Sequence, residues 1–268
     1  MPVPESATGA DAVASRSVDD ASSVDGAVSA PLADDPTTMP VVSSDRVFEG
    51  KVWDLRRDVV RYGDGEITRE YVDHTGAVAI LALDEEDRVL LIKQYRHPIA
   101  SRDWELPAGL LDVDGESPLV SAQRELAEEA DIEATDWRLL CEFFTSPGGS
   151  NETIRVFLAR GLTATDPFDR FAEEADLEVR WAPLADVVDA VLQRSVSNSI
   201  LGYAALAAAA SKARGWSTLG DPEEPWDRHP KLRSRASAGS PASSGAAPSG
   251  SSEPASAGSS GAVESSGS

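Results

Sequence analysis

The chain has a single cysteine, Cys141, so no disulfide can form within it. Set among Leu139, Leu140 and Phe143, that thiol reads as a buried strand residue rather than a nucleophile. Histidine is almost as scarce. His74, His97 and His229 are too scattered to suggest a metal pair, and no catalytic role is expected of them. Positive charge is short as well, with 24 Lys and Arg against 46 Asp and Glu and a formal net charge of −22. That balance excludes a broad surface for nucleic acid or an anionic membrane, although not an anionic substrate that arrives with metal. No apolar run approaches the length of about 20 residues that a membrane span needs. The opening MPVPESATGADAV has neither a basic n-region nor an apolar h-region, so a cytoplasmic protein is expected. Met39 is a candidate start, because it stands where the composition changes.

Apolar periodicity is missing from both ends. Residues 1–40 are rich in Ala, Ser, Asp and Pro, with seven acids against one Arg. Residues 217–268 end in PASSGAAPSGSSEPASAGSSGAVESSGS and hold six acids against four bases. Neither stretch can bury enough apolar surface to offset chain entropy, so two disordered tails are expected. The remainder, close to one ordinary domain with an appendage, keeps a net −14 of the total.

Within it, residues 46–62 alternate well enough for two short strands, Gly63-Asp64-Gly65 is a turn signal, and 66–73 reads as a returning strand. A small antiparallel sheet over 41–75 follows. GAVAILAL at 76–83 is apolar throughout, as a strand covered on both faces should be. RVLLIKQY at 88–95 is the next, and Pro98 marks its end. Residues 106–111 read as a loop. Ser117-Pro118 has the form of a helix start, with Leu119, Ala122, Leu126 and Ala130 as the inner stripe. Strands follow at 138–144, 152–159 and 177–182. Pro183 opens an amphipathic helix with Leu184, Val187, Val188, Val191 and Leu192 inside, and a last helix spans about 200–214. Strands interleaved with helices predict an α/β (α+β) domain over 76–216, a mixed sheet between helices.

The stretch that carries chemistry is Arg124-Glu125-Leu126-Ala127-Glu128-Glu129. On a helix Glu125 and Glu129 share one face, with Glu128 beside them. Carboxylates in register repel one another unless water or a hard cation absorbs the charge, and Mg²⁺ or Mn²⁺ suits such oxygens. The alternative is a solvated acidic helix face.

With its surroundings this stretch resembles the Nudix box, a loop–helix–loop. The matching residues are Gly109, Glu116, the seven-residue gap Ser117–Gln123, then Arg124, Glu125, Leu126, Glu128, Glu129 and the apolar Ile132. The spacer from Gly109 to Glu116 is one residue longer than the family pattern, and Asp131 stands where Gly is usual. The resemblance implies Glu125 and Glu129 as principal metal ligands, Glu128 assisting, and Arg124 orienting them by ion pairing. Pro147 lies fifteen residues beyond Ile132, in SPGGSNE. That setting is similar to the ADP-ribose pyrophosphatase subgroup, as are Arg69-Glu70, Gln94-Tyr95-Arg96 and the N-terminal sheet. The likeness implies a metal-dependent hydrolase, a homodimer joined through that sheet, a small-molecule substrate contacted by Arg69, Arg96, Pro147 and Gly109, and neither a nucleic-acid nor a membrane partner. The implied reaction is hydrolysis of ADP-ribose to AMP and ribose 5-phosphate. Residues 168–176 are acidic and read as a loop, and the likeness implies a general base there, Glu174 in preference to Glu173. Another nucleoside diphosphate derivative as substrate, or a non-catalytic ADP-ribose sensor, are the alternatives.

Overall fold

A computed structural model describes residues 31–166 and 177–232 of the chain. Glu173 and Glu174, the expected bases, lie outside the described residues. The chain divides into two units, residues 1–38 and 39–268. Of the first, residues 31–38 are exposed and have no regular structure.

The second unit begins with an antiparallel meander of β1 (Val41–Phe48), β2 (Asp54–Tyr62) and β3 (Gly65–Asp73). Gly63 turns β2 into β3 with φ of 59°, a left-handed conformation that glycine adopts at no steric cost. All eight residues of β1 are exposed.

β4 (Ala77–Ala82) and β5 (Arg88–Arg96) follow as the apolar runs predict. Two short strands, β6 (Ser101–Glu105) and β7 (Ala108–Leu110), occupy a stretch that has no strand pattern of its own. They form because β5 and β4 offer open edges for them to pair with. Then come helix α1 (Pro118–Ala130), β8 (Ile132–Phe144), β9 (Thr153–Ala164), β10 (Glu178–Pro183), α2 (Leu184–Leu192) and α3 (Ser199–Lys212). Besides the meander, the strands make two sheets, and the first of them is the mixed sheet expected between helices. One, ordered β7-β4-β9-β8, is mixed, with β4 and β9 parallel; the other, β10-β5-β6, is antiparallel.

β4 is the centre of the packing. Val78, Ile80 and Ala82 point to one side and meet Ala122 and Leu126 of α1 with Trp137 and Phe157. Ala77, Ala79 and Leu81 point to the other and meet Leu184, Val187, Leu201 and Ala204 of α2 and α3. Helices on both faces are the reason GAVAILAL has no polar alternation. Leu192, expected inside, is 59% exposed, because α2 ends there and the chain turns away through Arg194, whose φ is 64°.

The C-terminal expectation needs correction. Residues 217–232 are packed rather than tail-like: Trp226 is 6% and His229 1% exposed. Gly220 exchanges backbone hydrogen bonds with Leu139 of β8. Beyond them Trp226 lies over the guanidinium of Arg155, 4.7 Å away, and Arg155 is itself buried and held by Glu142. A few well-placed aromatic and cationic contacts do here what no apolar period signals. Burial holds the His229 imidazole well below its usual pKa, down to about 4.

Trp226→Ala is expected to cost about 3–5 kcal/mol of stability, as for other buried Trp truncations, measurable by urea unfolding. The His229 shift has a definite sign. The unfolded ring takes up its proton near pH 6.5 and the folded ring only near 4, so stability should fall as pH drops through that window. His229→Gln should flatten the fall in melting temperature between those limits. A variant that keeps the full wild-type slope would contradict a buried neutral ring.

Candidate active site

α1 starts where Ser117 Oγ accepts the Val120 N–H at 3.3 Å and Pro118 takes the first helical position. It ends at Asp131, whose φ of 54° is the left-handed cap, so Asp does here what Gly does in the usual pattern. The helix therefore presents Glu125, Glu128 and Glu129 together, as expected.

Arg124 organises them. Its Nε and Nη2 donate to the two oxygens of Glu116 at 3.1 Å each, while Nη1 donates to Glu125 Oε1 at 2.6 Å and Glu128 Oε2 at 3.1 Å. The hydrogen bond to Glu116 is the main reason the guanidinium holds its proton more tightly than usual, and Arg124 in turn keeps Glu116 below the ordinary carboxylate range. Glu125 goes the other way. Its burial outweighs the attraction of Arg124 and raises its pKa. The longer spacer does not remove Glu116 from the group; it joins through Arg124.

The loop and strand ahead of α1 complete the arrangement. Glu129, 9% exposed, accepts the Ala108 N–H through Oε2 at 3.0 Å. Gly109 passes so close to Glu125 that a Cβ there would stand 2.0 Å from Oε1. Two of the three residues of β7, Ala108 and Gly109, thus touch the two carboxylates.

β7 also lines a cavity of about 620 Å³. Around it stand Trp53, His74, Arg96, Glu105 and Glu152, with Ala77 and Ile154 at the core side. Arg96 donates from Nε and Nη2 to both oxygens of the buried Glu105, at 2.9 and 2.7 Å. His74 Nδ1 accepts the Gly76 N–H at 3.1 Å, so the ring's own proton sits on Nε2, 3.4 Å from Glu152 Oε1. Burial lowers the His74 pKa, which favours this neutral form. The Trp53 ring lies 5.8 Å from His74.

The structure therefore brings together Arg124, Glu125, Glu128, Glu129 and Gly109, and puts Arg96 on the wall of the neighbouring cavity. It does not bring in two others. Arg69 is an exposed residue of β3 whose Nη1 donates to Thr68 O, and it is not among the cavity-lining residues. Pro147 is exposed on the β8–β9 loop and likewise outside the lining. That loop matters through its last residues. The Asn151 N–H donates to Val72 O at 3.2 Å, and its Oδ1 accepts the His74 N–H at 2.7 Å. Trp53, His74, Glu105, Asn151 and Glu152 had no signal in spacing; SPGGSNE and the Trp were visible, but not that they meet. Burial pushes the Cys141 thiol up to about 12, which disfavours the nucleophilic thiolate.

Among the described residues no three Asp, Glu, His or Cys side chains form a complete ligand cluster. The donors nonetheless suit a hard divalent ion. They are carboxylate oxygens, one of them desolvated, and such an ion commonly takes one or two carboxylates and completes its shell with water and substrate phosphate.

Residues 73–200 match the NUDIX domain model. An ADP-ribose pyrophosphatase of Mycobacterium tuberculosis is 46% identical over 160 residues, which cover 59% of this chain and 77% of that protein. With helix, cap and carboxylates in place, the chain belongs to the Nudix family. An ADP-ribose pyrophosphatase of Bacillus subtilis is 36% identical over 164 residues, covering 61% of this chain and 88% of the relative. The crystal structure of an ADP compounds hydrolase superposes with a TM-score of 0.57 at 20% identity, over 68% of this chain and 99% of that one, which supports the fold.

Because a Cβ on Gly109 would overlap Glu125, Gly109→Ala should cost about 1–3 kcal/mol by overpacking. Adding Glu125→Ala should recover much of that loss. Strictly additive costs in urea unfolding would contradict the contact.

Proposed function

We propose that the chain is a metal-dependent hydrolase that cleaves the pyrophosphate bond of ADP-ribose to give AMP and ribose 5-phosphate. The observation that carries this reading is the meeting of the acidic helix and the cavity at β7, where Ala108 and Gly109 touch Glu129 and Glu125 and form part of the cavity wall. The names of the two relatives support the substrate class. A volume near 620 Å³ lies within the range of about 300–1,000 Å³ typical of small-molecule sites.

Glu125 and Glu129 would hold the cation, Mg²⁺ or alternatively Mn²⁺, with Glu128 assisting. Bound there, a divalent ion neutralises pyrophosphate charge and acidifies water. The chain supplies the rest. Arg124 fixes the carboxylates against their mutual repulsion. Arg96, anchored by Glu105 on the cavity wall, meets phosphate or ribose there. Gly109 lets the substrate approach the backbone, and Pro147 shapes the turn that sets Asn151. Glu174, or Glu173 beside it, accepts the proton of the attacking water, an effect worth about 10²–10⁴-fold. Arg69 contributes only in a homodimer formed through the exposed meander. The substrate is a small molecule, and the net charge of −22 disfavours nucleic acid or an anionic membrane as a further partner. No helix among the described residues is long and apolar enough to cross a membrane; the cytoplasm is the proposed compartment.

The test is product analysis. Incubated with ADP-ribose and Mg²⁺, the protein should release AMP and ribose 5-phosphate in equal amounts and faster than it cleaves nucleotide sugars or dinucleotides. Glu129→Gln should lose about 100-fold or more in rate with its fold intact. Preference for a nucleotide sugar would overturn the substrate, and a near wild-type Glu129→Gln the site.

A further inference from the structure

We propose that residues 217–232 form a strap whose His229 is a positioning residue for the cavity wall, acting through His74. The proposal rests on the cavity being the substrate site.

Two routes run from the strap to one corner of the cavity. In the first, His229 Nε2 lies 3.0 Å from Thr75 O and Nδ1 accepts the Lys231 and Leu232 N–H groups at 3.2 and 3.1 Å. Those two donors leave Nδ1 without a proton, so Nε2–H donates to Thr75. The ring edge also fills the space above Gly76, where a Cβ would stand 2.2 Å from Nε2 and where φ is +85°. Gly76 N–H is the donor that fixes the His74 tautomer. In the second, Lys231 Nζ holds Asp73 Oδ1 at 3.0 Å; that oxygen also accepts from Asn151 Nδ2 at 2.8 Å, and Asn151 Oδ1 receives the His74 N–H. Both routes end on His74, whose Nε2–H faces Glu152 inside the cavity. The strap is anchored beside His229 by Arg155, which donates to Glu224 O at 2.9 Å and underlies Trp226, whose ring lies 4.7 Å from that of His229. Its effect is to hold the Asp73–Gly76 turn in one conformation. Without it the His74 ring can flip or change tautomer and the wall loosens, which weakens ground-state binding more than the chemical step.

The test uses the full chain with His229→Ala and the conservative His229→Gln, whose amide can still donate to Thr75. Nitrogen-15 NMR of the imidazoles reads the His74 tautomer directly, and three histidines keep the assignment simple. KM and kcat for ADP-ribose with Mg²⁺ are measured on the same samples. In the wild type His74 should be the neutral Nε2–H form. His229→Ala should mix the tautomers and raise KM by about fivefold, one hydrogen bond's worth, with kcat nearly unchanged. His229→Gln should restore both. A preserved tautomer, or an unchanged KM despite a mixed one, overturns the proposal, as does a fall in kcat alone. If His229→Ala does not fold, Lys231→Met, which cuts only the outer route, is read by the same criteria. If the wild type leaves ADP-ribose intact, the functional reading fails, and the tautomer alone decides the strap.

Discussion

One guanidinium holds the candidate site in shape. Three glutamates within a helical turn or two of one another repel, and Glu125 is also partly stripped of water, which raises its pKa. Arg124 meets Glu116, Glu125 and Glu128 at once. A single point charge could not satisfy three carboxylates in different directions; the planar fork of Arg can. Because Glu116 precedes the helix and the others lie within it, the same residue ties the loop to α1. The fourth acid, Glu129, is held independently by the Ala108 N–H.

The rest of the fold supplies the frame for that interaction. Burial of alternate β4 residues against α1 on one side and α2 and α3 on the other fixes the helix over the sheet. β7 is only three residues long, yet it pairs with β4 and so carries the rigidity of the core into the contact with Glu125 and Glu129. The same short strand lines the cavity. The C-terminal segment then braces the adjoining wall through Thr75 and Asp73, beside the point where Gly76 O accepts the Leu111 N–H. Both walls thus refer back to β4, one by strand pairing and the other by the turn that leads into it.

Much of this was legible in the sequence because it is local. Helix periodicity, the Ser117-Pro118 start and the register of Glu125 and Glu129 depend on neighbours three or four residues apart. So did the left-handed end at Asp131, where the side chain tolerates what Gly usually supplies. What was not legible depends on distant pairings. β6 and β7 have no alternation, and only the open edges of β5 and β4 make them strands. His229 finds Thr75 across 154 positions, in a charged, Pro-interrupted stretch with no apolar period. Arg69 and Pro147 match a family pattern, but matching a pattern does not fix reach, and both stand outside the cavity of a single chain. The acidic loop of Glu173 and Glu174 lies outside the described residues and stays a proposal from sequence.

The central claim is that the acidic helix holds a divalent cation through Glu125 and Glu129. Direct titration with Mn²⁺, followed by the loss of the free-ion signal in electron paramagnetic resonance, tests it without reference to any substrate. Wild-type protein should bind the ion, and Glu125→Gln and Glu129→Gln should each weaken binding at least about tenfold, while Glu133→Gln, an exposed acid on β8, should leave it unchanged. Equal binding by all four proteins would contradict the account.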